Sequence, residues 1–230
     1  MKRTNYTLVL FLFLLTACSD SSEKFEDMSV EELYLIGVER MQAKKYKEAG
    51  AAYAEVERQH PYSDWAVNAE LMSGYCYYLA KEYDDAQEAF EGFIQLHPRH
   101  NGVSYAMYMN GLIEYEQIPI VERDQSPAKE CLDVFQKLIN MFPNSKYAKD
   151  ARLKMDFIYD HLAAKELEIA YYYERKKAYI PAINRLKILI KDYQKSSHVP
   201  EALYRMCACY KALGITEEAK ASAAVLGSNF

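Results

Sequence analysis

Glycine and proline are scarce, at 8 and 7 residues in a chain of 230. That scarcity excludes a chain broken by many short turns and makes long helices the natural expectation. Basic excess is also missing: 28 Lys and Arg face 33 Asp and Glu, a formal net charge of −5. Nucleic acid, whose phosphates call for the opposite balance, is excluded as a partner. Clusters such as Lys44-Lys45 and Arg175-Lys176-Lys177 read as solvated helix faces. Five cysteines are too few to hold so long a chain together as a disulfide scaffold. The sequence has no HExxH, GxSxG, GxGxxG or phosphate-loop pattern. Histidines 60, 97, 100, 161 and 198 are scattered and make no ligand set. The adjacent carboxylates Glu31-Glu32 and Asp84-Asp85 diverge by about 100° on a helix, so neither is an acid–base pair. The chain therefore reads as a binding protein and not an enzyme, with no metal and no diffusible cofactor.

What is present begins at the N-terminus. Lys2 and Arg3 precede an apolar run over 8–15 and then small residues, the layout of a secretory signal. The run falls well short of the about 20 residues that a membrane-crossing helix needs. It is followed by SDSSEK, not by a positive flank, so cleavage is expected. Where an A-x-A site would end, the chain reads Leu15-Thr16-Ala17-Cys18. This resembles the bacterial lipobox. The resemblance implies that residues 1–17 are removed and that Cys18 carries a diacylglycerol thioether and an N-acyl chain. Ser19 rather than Asp after the cysteine implies sorting to the outer membrane. Three acyl chains would make attachment effectively permanent, since each buried methylene contributes about 0.8 kcal/mol. Residues 18–28 read as an acylated tether, whose polar stretch Ser19 to Asp27 reaches roughly 30 Å when extended. Loss of Lys2 and Arg3 leaves 26 basic against 33 acidic residues, a net charge of −7.

An internal period sets the architecture. Gly37, Gly74 and Gly111 are 37 residues apart, and His60-Pro61 and His97-Pro98 keep the same interval. Ala49 and Ala86 follow the first two glycines by 12, with Tyr53 and Phe90 four further on. This pattern resembles the tetratricopeptide repeat, a pair of antiparallel helices. Small residues let the two axes approach, an aromatic fills the wedge beside them, and proline ends the second helix. In the third unit, Gly111, Cys131, Phe135 and Pro143, the small-to-small spacing is 20, so eight extra residues enter the inter-helix turn around IPIVERDQ. Ser126-Pro127 is expected to start the next helix, with serine as its cap. Ala170 and Cys207 resume the 37-residue interval, and between Pro143 and Ala170 no breaker occurs, which predicts one helix of about 30 residues. The expected fold is all-α: a tetratricopeptide-repeat superhelix of five helix pairs, about ten helices, with an elongated first helix in the fourth pair. Ser29 with Glu32 predicts a capping box at its start. The fifth repeat has Ala223 where an aromatic would sit, so a weakly packed end is expected. Cys76, Cys131, Cys207 and Cys209 fall at or near the small positions and read as packed thiols.

In such solenoids the first helices line the inner face. Counting from the glycines places Tyr34, Tyr75, Tyr78, Tyr105, Tyr108 and Tyr115 there, with Val38 and Met41. They form either a tyrosine-rich groove for an extended apolar peptide or part of the packing between repeats.

Stretches PYSDWA, YAMYMNGL, RDQSP and PNSKYA, in that order between the repeat landmarks, resemble the BamD (ComL) family of outer-membrane lipoproteins of the β-barrel assembly machinery. The resemblance covers Cys18 to about residue 213. It implies a non-enzymatic subunit whose N-terminal repeats (29–144) hold unfolded outer-membrane proteins and whose C-terminal repeats (145–230) dock on a BamA-like barrel protein. Other lipoproteins of that machinery are implied as further partners. The family's Asn-Arg pair used toward that barrel protein falls on Asn184 and Arg185; the competing reading is an ordinary surface-helix arginine. Composition and spacing alone equally allow a repeat lipoprotein serving pilus, cell-wall or division machinery, or a peptidoglycan-associated competence factor.

Overall fold

The computed structural model describes residue 25 and residues 27–230. Among the described residues there are ten α-helices and no strand: α1 (Val30–Gln42), α2 (Tyr46–Gln59), α3 (Ala66–Ala80), α4 (Tyr83–Leu96), α5 (Val103–Glu116), α6 (Ser126–Met141), α7 (Lys146–Arg175), α8 (Tyr179–Asp192), α9 (Val199–Ala212) and α10 (Thr216–Asn229). Each helix packs on its neighbours in the chain, giving the five predicted pairs stacked in sequence order.

The close approach within pairs is where the glycines stand. A Cβ on Gly37 would lie 2.7 Å from the Tyr53 ring, one on Gly74 2.9 Å from Phe90, and one on Gly111 2.2 Å from Phe135. All three rings are buried, so they have nowhere to retreat. Gly50 does the same between pairs, with Tyr77 of α3 2.9 Å from the position of its missing Cβ. Cys131 takes the small position opposite Gly111 and donates its Sγ–H to the Gly111 carbonyl at 3.3 Å. Cys76, Cys131 and Cys209 are buried free thiols, and Cys207 is half-buried. Burial pushes Cys76 and Cys209 up to about 11 and Cys131 to about 12.

The ends of helices repeat as well. His60, His97 and Phe142, each before a proline, take φ of −132°, −124° and −132° and end α2, α4 and α6. Proline disfavours a helical conformation at the residue before it and has no N–H to continue a ladder, so the second helices stop there. Within pairs, the turns carry a left-handed residue: Lys44 (φ 59°), Lys81 (φ 61°), Lys177 (φ 57°) and Gly214 (φ 76°). Only the last is a residue that adopts this region without a Cβ clash.

The capping box forms as expected. Ser29 Oγ accepts from the Glu32 N–H, and the Glu32 carboxylate accepts from the Ser29 N–H at 2.9 Å. The tether expected over 18–28 ends earlier than its composition suggested. Gln59 donates to the Phe25 carbonyl, His60 Nε2 is 2.8 Å from the Met28 carbonyl, and Arg40 lies 5.2 Å over the Phe25 ring. Fully extended, the chain from Cys18 to Phe25 would span at most roughly 25 Å.

The cap expected at Ser126 is also corrected. Ser126 is the first residue of α6, Gln125 holds the cap position, and no side chain caps the helix. Gln125 is buried in the long turn and shares its amide N–H groups among the carbonyls of Ile120, Val121 and Arg123 at 3.1, 3.3 and 3.0 Å. A turn without its own ladder needs such donors, and a glutamine amide reaches farther than a serine hydroxyl. Lys165 Nζ donates to the Glu122 carbonyl at 2.7 Å and ties this turn to α7.

Helix α7 has the predicted 30 residues, capped by Ser145 through the Ala148 N–H at 3.0 Å. At 1.5 Å per residue it is about 45 Å long. Its Ala151, Met155, Ile158 and Leu162 enter the large core shared by repeats two and three, while Ala163 and Ala170 belong to the next core with Leu186 and Leu189. At the far end, α10 buries only Ala219 and Ser222, and Phe230 is exposed, as the missing aromatic implied.

Two substitutions should move stability in opposite directions. Gly111→Ala is expected to cost about 1–3 kcal/mol through overpacking against Phe135. Lys81→Gly is expected to add about 1 kcal/mol by relieving the left-handed strain. Urea unfolding followed by circular dichroism reads both; an unmoved midpoint in either removes that constraint from the fold.

Candidate partner-binding surfaces

The six tyrosines sit on α1, α3 and α5, all half-buried. Tyr75, Tyr78, Tyr105, Tyr108 and Tyr115 border one core, that of repeats two and three; Tyr34 borders the separate core of repeat one. Tyr34 and Tyr105 meet neighbouring rings edge-on or tilted. Tyr34 lies 5.2 Å from Tyr53 and 4.7 Å from Trp65; Tyr105 lies 6.0 Å from Phe90 and 5.5 Å from Tyr147. Tyr108 stacks on Phe135 at 6.1 Å and meets Tyr147 at 5.3 Å.

Tyr108 also donates its hydroxyl to Asp150 Oδ2. Lys154 Nζ lies 3.6 Å from Asp150 and 5.0 Å over the Tyr115 ring, so an aspartate and a lysine from α7 join two tyrosines of α5. Burial pushes the Tyr78, Tyr105 and Tyr108 hydroxyls above their ordinary range; for Tyr108 the Asp150 carboxylate adds to it. These hydroxyls stay neutral donors, and Asp150 and Lys154 supply the charge beside them.

Sequence counting missed Tyr147, Asp150 and Lys154. They come from the first turns of α7, where the elongated helix departs from the 37-residue register, so no offset from a glycine points to them. It also missed Phe157, 69% exposed on α7. Phe157 lines a hollow of about 470 Å³ with Tyr115, Ile118 and His198, beside the long third turn. A signal was available: an apolar residue off the buried stripe of a regular helix.

Arg185 and Asn184 lie apart from the tyrosines, on α8. Asn184 is exposed. Arg185 Nη1 donates to Glu166 Oε2 of α7 at 3.2 Å, so a carboxylate of the same chain already meets one edge of the guanidinium. Its side chain is still 39% exposed. Cys18 lies outside the described residues. Among the described residues no group of three or more His, Cys, Asp or Glu could hold a metal ion, and no helix is long and apolar enough to cross a membrane.

The paired helices, the small-residue crossings and a half-open aromatic face define a helical-repeat scaffold protein of the tetratricopeptide type. More narrowly, the chain belongs to the YfiO family, described as outer membrane lipoprotein, whose profile matches residues 26–226. It is similar to the outer membrane protein assembly factor BamD of Caulobacter vibrioides, 38% identical over 226 residues, covering 96% of this chain and 74% of that protein. The factor of the same name from Rickettsia prowazekii is 38% identical over 224 residues, covering 97% of this chain and 89% of that one. Among solved structures, the TPR2AB domain of yeast Sti1 in its pHSP90 complex is a loose likeness, 14% identical with a TM-score of 0.45, covering 84% of this chain and 74% of that one.

The half-buried, singly bonded Arg185 bears little on stability. Arg185→Ala is expected to cost under about 1 kcal/mol, read as a urea midpoint. A larger loss would make the Glu166 pair structural and leave the residue unsuitable as a binding probe.

Proposed function

We propose that the chain is a non-enzymatic subunit of outer-membrane protein assembly. It is held at the outer membrane by the acyl chains on Cys18 and faces the periplasm. The first three repeats present their tyrosines to unfolded outer-membrane proteins, and the last repeats dock on a BamA-like barrel protein, with other lipoproteins of the machinery as neighbours. The observation that carries this reading is the likeness over nearly the whole chain to proteins named outer membrane protein assembly factor BamD.

The chemistry of the two surfaces supports the division of labour. An unfolded barrel strand brings alternating apolar side chains and unpaired backbone groups. Half-buried tyrosines offer large, stiff contact area, and neutral hydroxyls can pair with backbone carbonyls and amides. Arg185, still partly open beside Glu166, suits a second carboxylate supplied by a folded partner.

Membrane fractionation of Cys18→Ala tests the anchor: release into the soluble periplasmic fraction is expected, and retention unchanged from the parent would overturn it. Affinity purification from envelope membranes tests the docking. A barrel protein with periplasmic repeats should co-purify, and Arg185→Glu should reduce its recovery; equal recovery removes Arg185 from the interface. A photoreactive peptide ending in an aromatic residue should label α3 and α5. Labelling confined to α8, α9 and α10 would sink the groove assignment.

A further inference from the structure

The negative charge of this protein is concentrated. Residues 46–96 hold ten carboxylates against three basic side chains, a net of −7, equal to that of the whole chain once Lys2 and Arg3 are gone. In the fold this segment is α2, α3 and α4, and several of its carboxylates converge. A hollow of about 380 Å³ between α2 and α4, floored by α3, is lined by Glu57, Glu70, Asp85 and Glu88 together with small residues such as Ala89 and Gly92. A second hollow of about 420 Å³ shares Glu88 and Gly92 and adds Asp84 and Glu91. No lysine, arginine or histidine lines either hollow, and none of these carboxylates is ion-paired to a lysine or arginine among the described residues.

Glu70 at the floor is the unusual member. It is 8% exposed, and its buried Oε2 has no hydrogen-bond partner. His97 Nε2 lies 3.3 Å from this oxygen without making a hydrogen bond to it, and pairs with it as an ion only when the imidazole is protonated. The other oxygen, Oε1, is 3.3 Å from where a Cβ on Gly92 would stand, so the absence of a side chain at Gly92 leaves Glu70 open to the hollow. Burial, with Glu57 adding to it, pushes the Glu70 carboxyl up to about 7. A buried carboxylate that makes no hydrogen bond is costly, and an incoming cation that donates to it would offset that cost.

We propose that this trough is a second docking site, and that it takes a basic segment of a partner protein with an arginine or lysine side chain laid along Ala89 and Gly92 toward Glu70. A side-chain cation fits better than a metal ion. Among the described residues no three ligating groups come together to hold a metal; instead Asp84, Glu88 and Glu91 form a row along α4 about 10 Å long, the span of roughly three extended residues. The small walls accept a methylene stem while its charged head pairs with carboxylate oxygens. Tyr75 projects about 140° around α3 from Glu70, so the trough and the tyrosine face can be occupied together. The proposal does not depend on the barrel-assembly reading.

The test uses the full-length lipoprotein in neutral detergent and a fluorescein-labelled Gly-Ser decapeptide carrying two arginines, with fluorescence anisotropy as the readout. The parent should bind it. Glu57→Gln/Glu88→Gln and Glu70→Gln/Glu88→Gln should each weaken binding about tenfold or more, because charge-assisted bonds are lost. Glu130→Gln/Asp133→Asn, which removes the same charge from the exposed surface of α6, should leave binding as in the parent. An equal loss in all three double variants would reduce the effect to net charge and overturn the proposal, as would absence of binding by the parent. Sedimentation velocity supplies the remaining arm: self-association abolished by the trough substitutions would assign the trough to a second copy of this chain and overturn it.

Discussion

Everything in this structure depends on how closely two helices can approach, and that distance is set where a hydrogen stands in place of a side chain. Gly37, Gly74 and Gly111 lie under Tyr53, Phe90 and Phe135 with no room for a methyl group. Dispersion falls steeply with separation, so a ring seated directly on backbone gains contacts that a larger residue would forfeit. Because the same approach recurs each 37 residues, successive pairs stack in one direction and present the same helix faces again and again. The tyrosine surface and the acidic trough follow from that repetition. First helices carry one, and second helices wall the other.

Helix α7 is where the repetition is interrupted, and the interruption matters to the candidate sites. Two cores meet on one continuous helix, so the N-terminal and C-terminal repeats are joined by a stiff rod and not by a linker. Asp160 on this helix accepts from Ser196 Oγ at 2.7 Å and from the Ser197 N–H at 2.8 Å, fastening the turn before α9. Burial opposes its charge, but those bonds and the nearby His198 outweigh burial and hold the carboxyl below its usual range. Phe157, Lys154 and Asp150, about one, two and three turns earlier, face the α5 side instead. A single helix therefore contributes both to the aromatic surface and to the joint behind it.

The legibility of these features in the sequence was uneven for identifiable reasons. Gly74, Ala86, Phe90 and Pro98 could be read because each job admits few residue types, small at the crossing, aromatic in the wedge and proline at the stop, and they recur at one interval. The 30-residue length of α7 could be read because nothing between Pro143 and Ala170 breaks a helix. Ser126 was misplaced by one residue since capping depends on where the long turn delivers the chain, and Gln125 organises that turn through three carbonyls lying 2–5 residues before it. Lys44, Lys81 and Lys177 gave no warning of their left-handed backbone, because the turn imposes it against the residue's own preference.

By itself, then, the sequence determined the number of helix pairs, their order, the residues at their crossings and the family to which the chain belongs. Those properties rest on local chemistry repeated at a constant interval: helix periodicity, proline stops and small residues at fixed offsets. The tertiary structure alone decided that Tyr108 reaches Asp150 across 42 residues, that Glu166 already meets Arg185, and that Glu70 is buried beneath an opening left by Gly92. Such pairings join helices whose relative rotation no periodicity specifies, since it is set by how whole side chains settle into one another once the pairs have stacked.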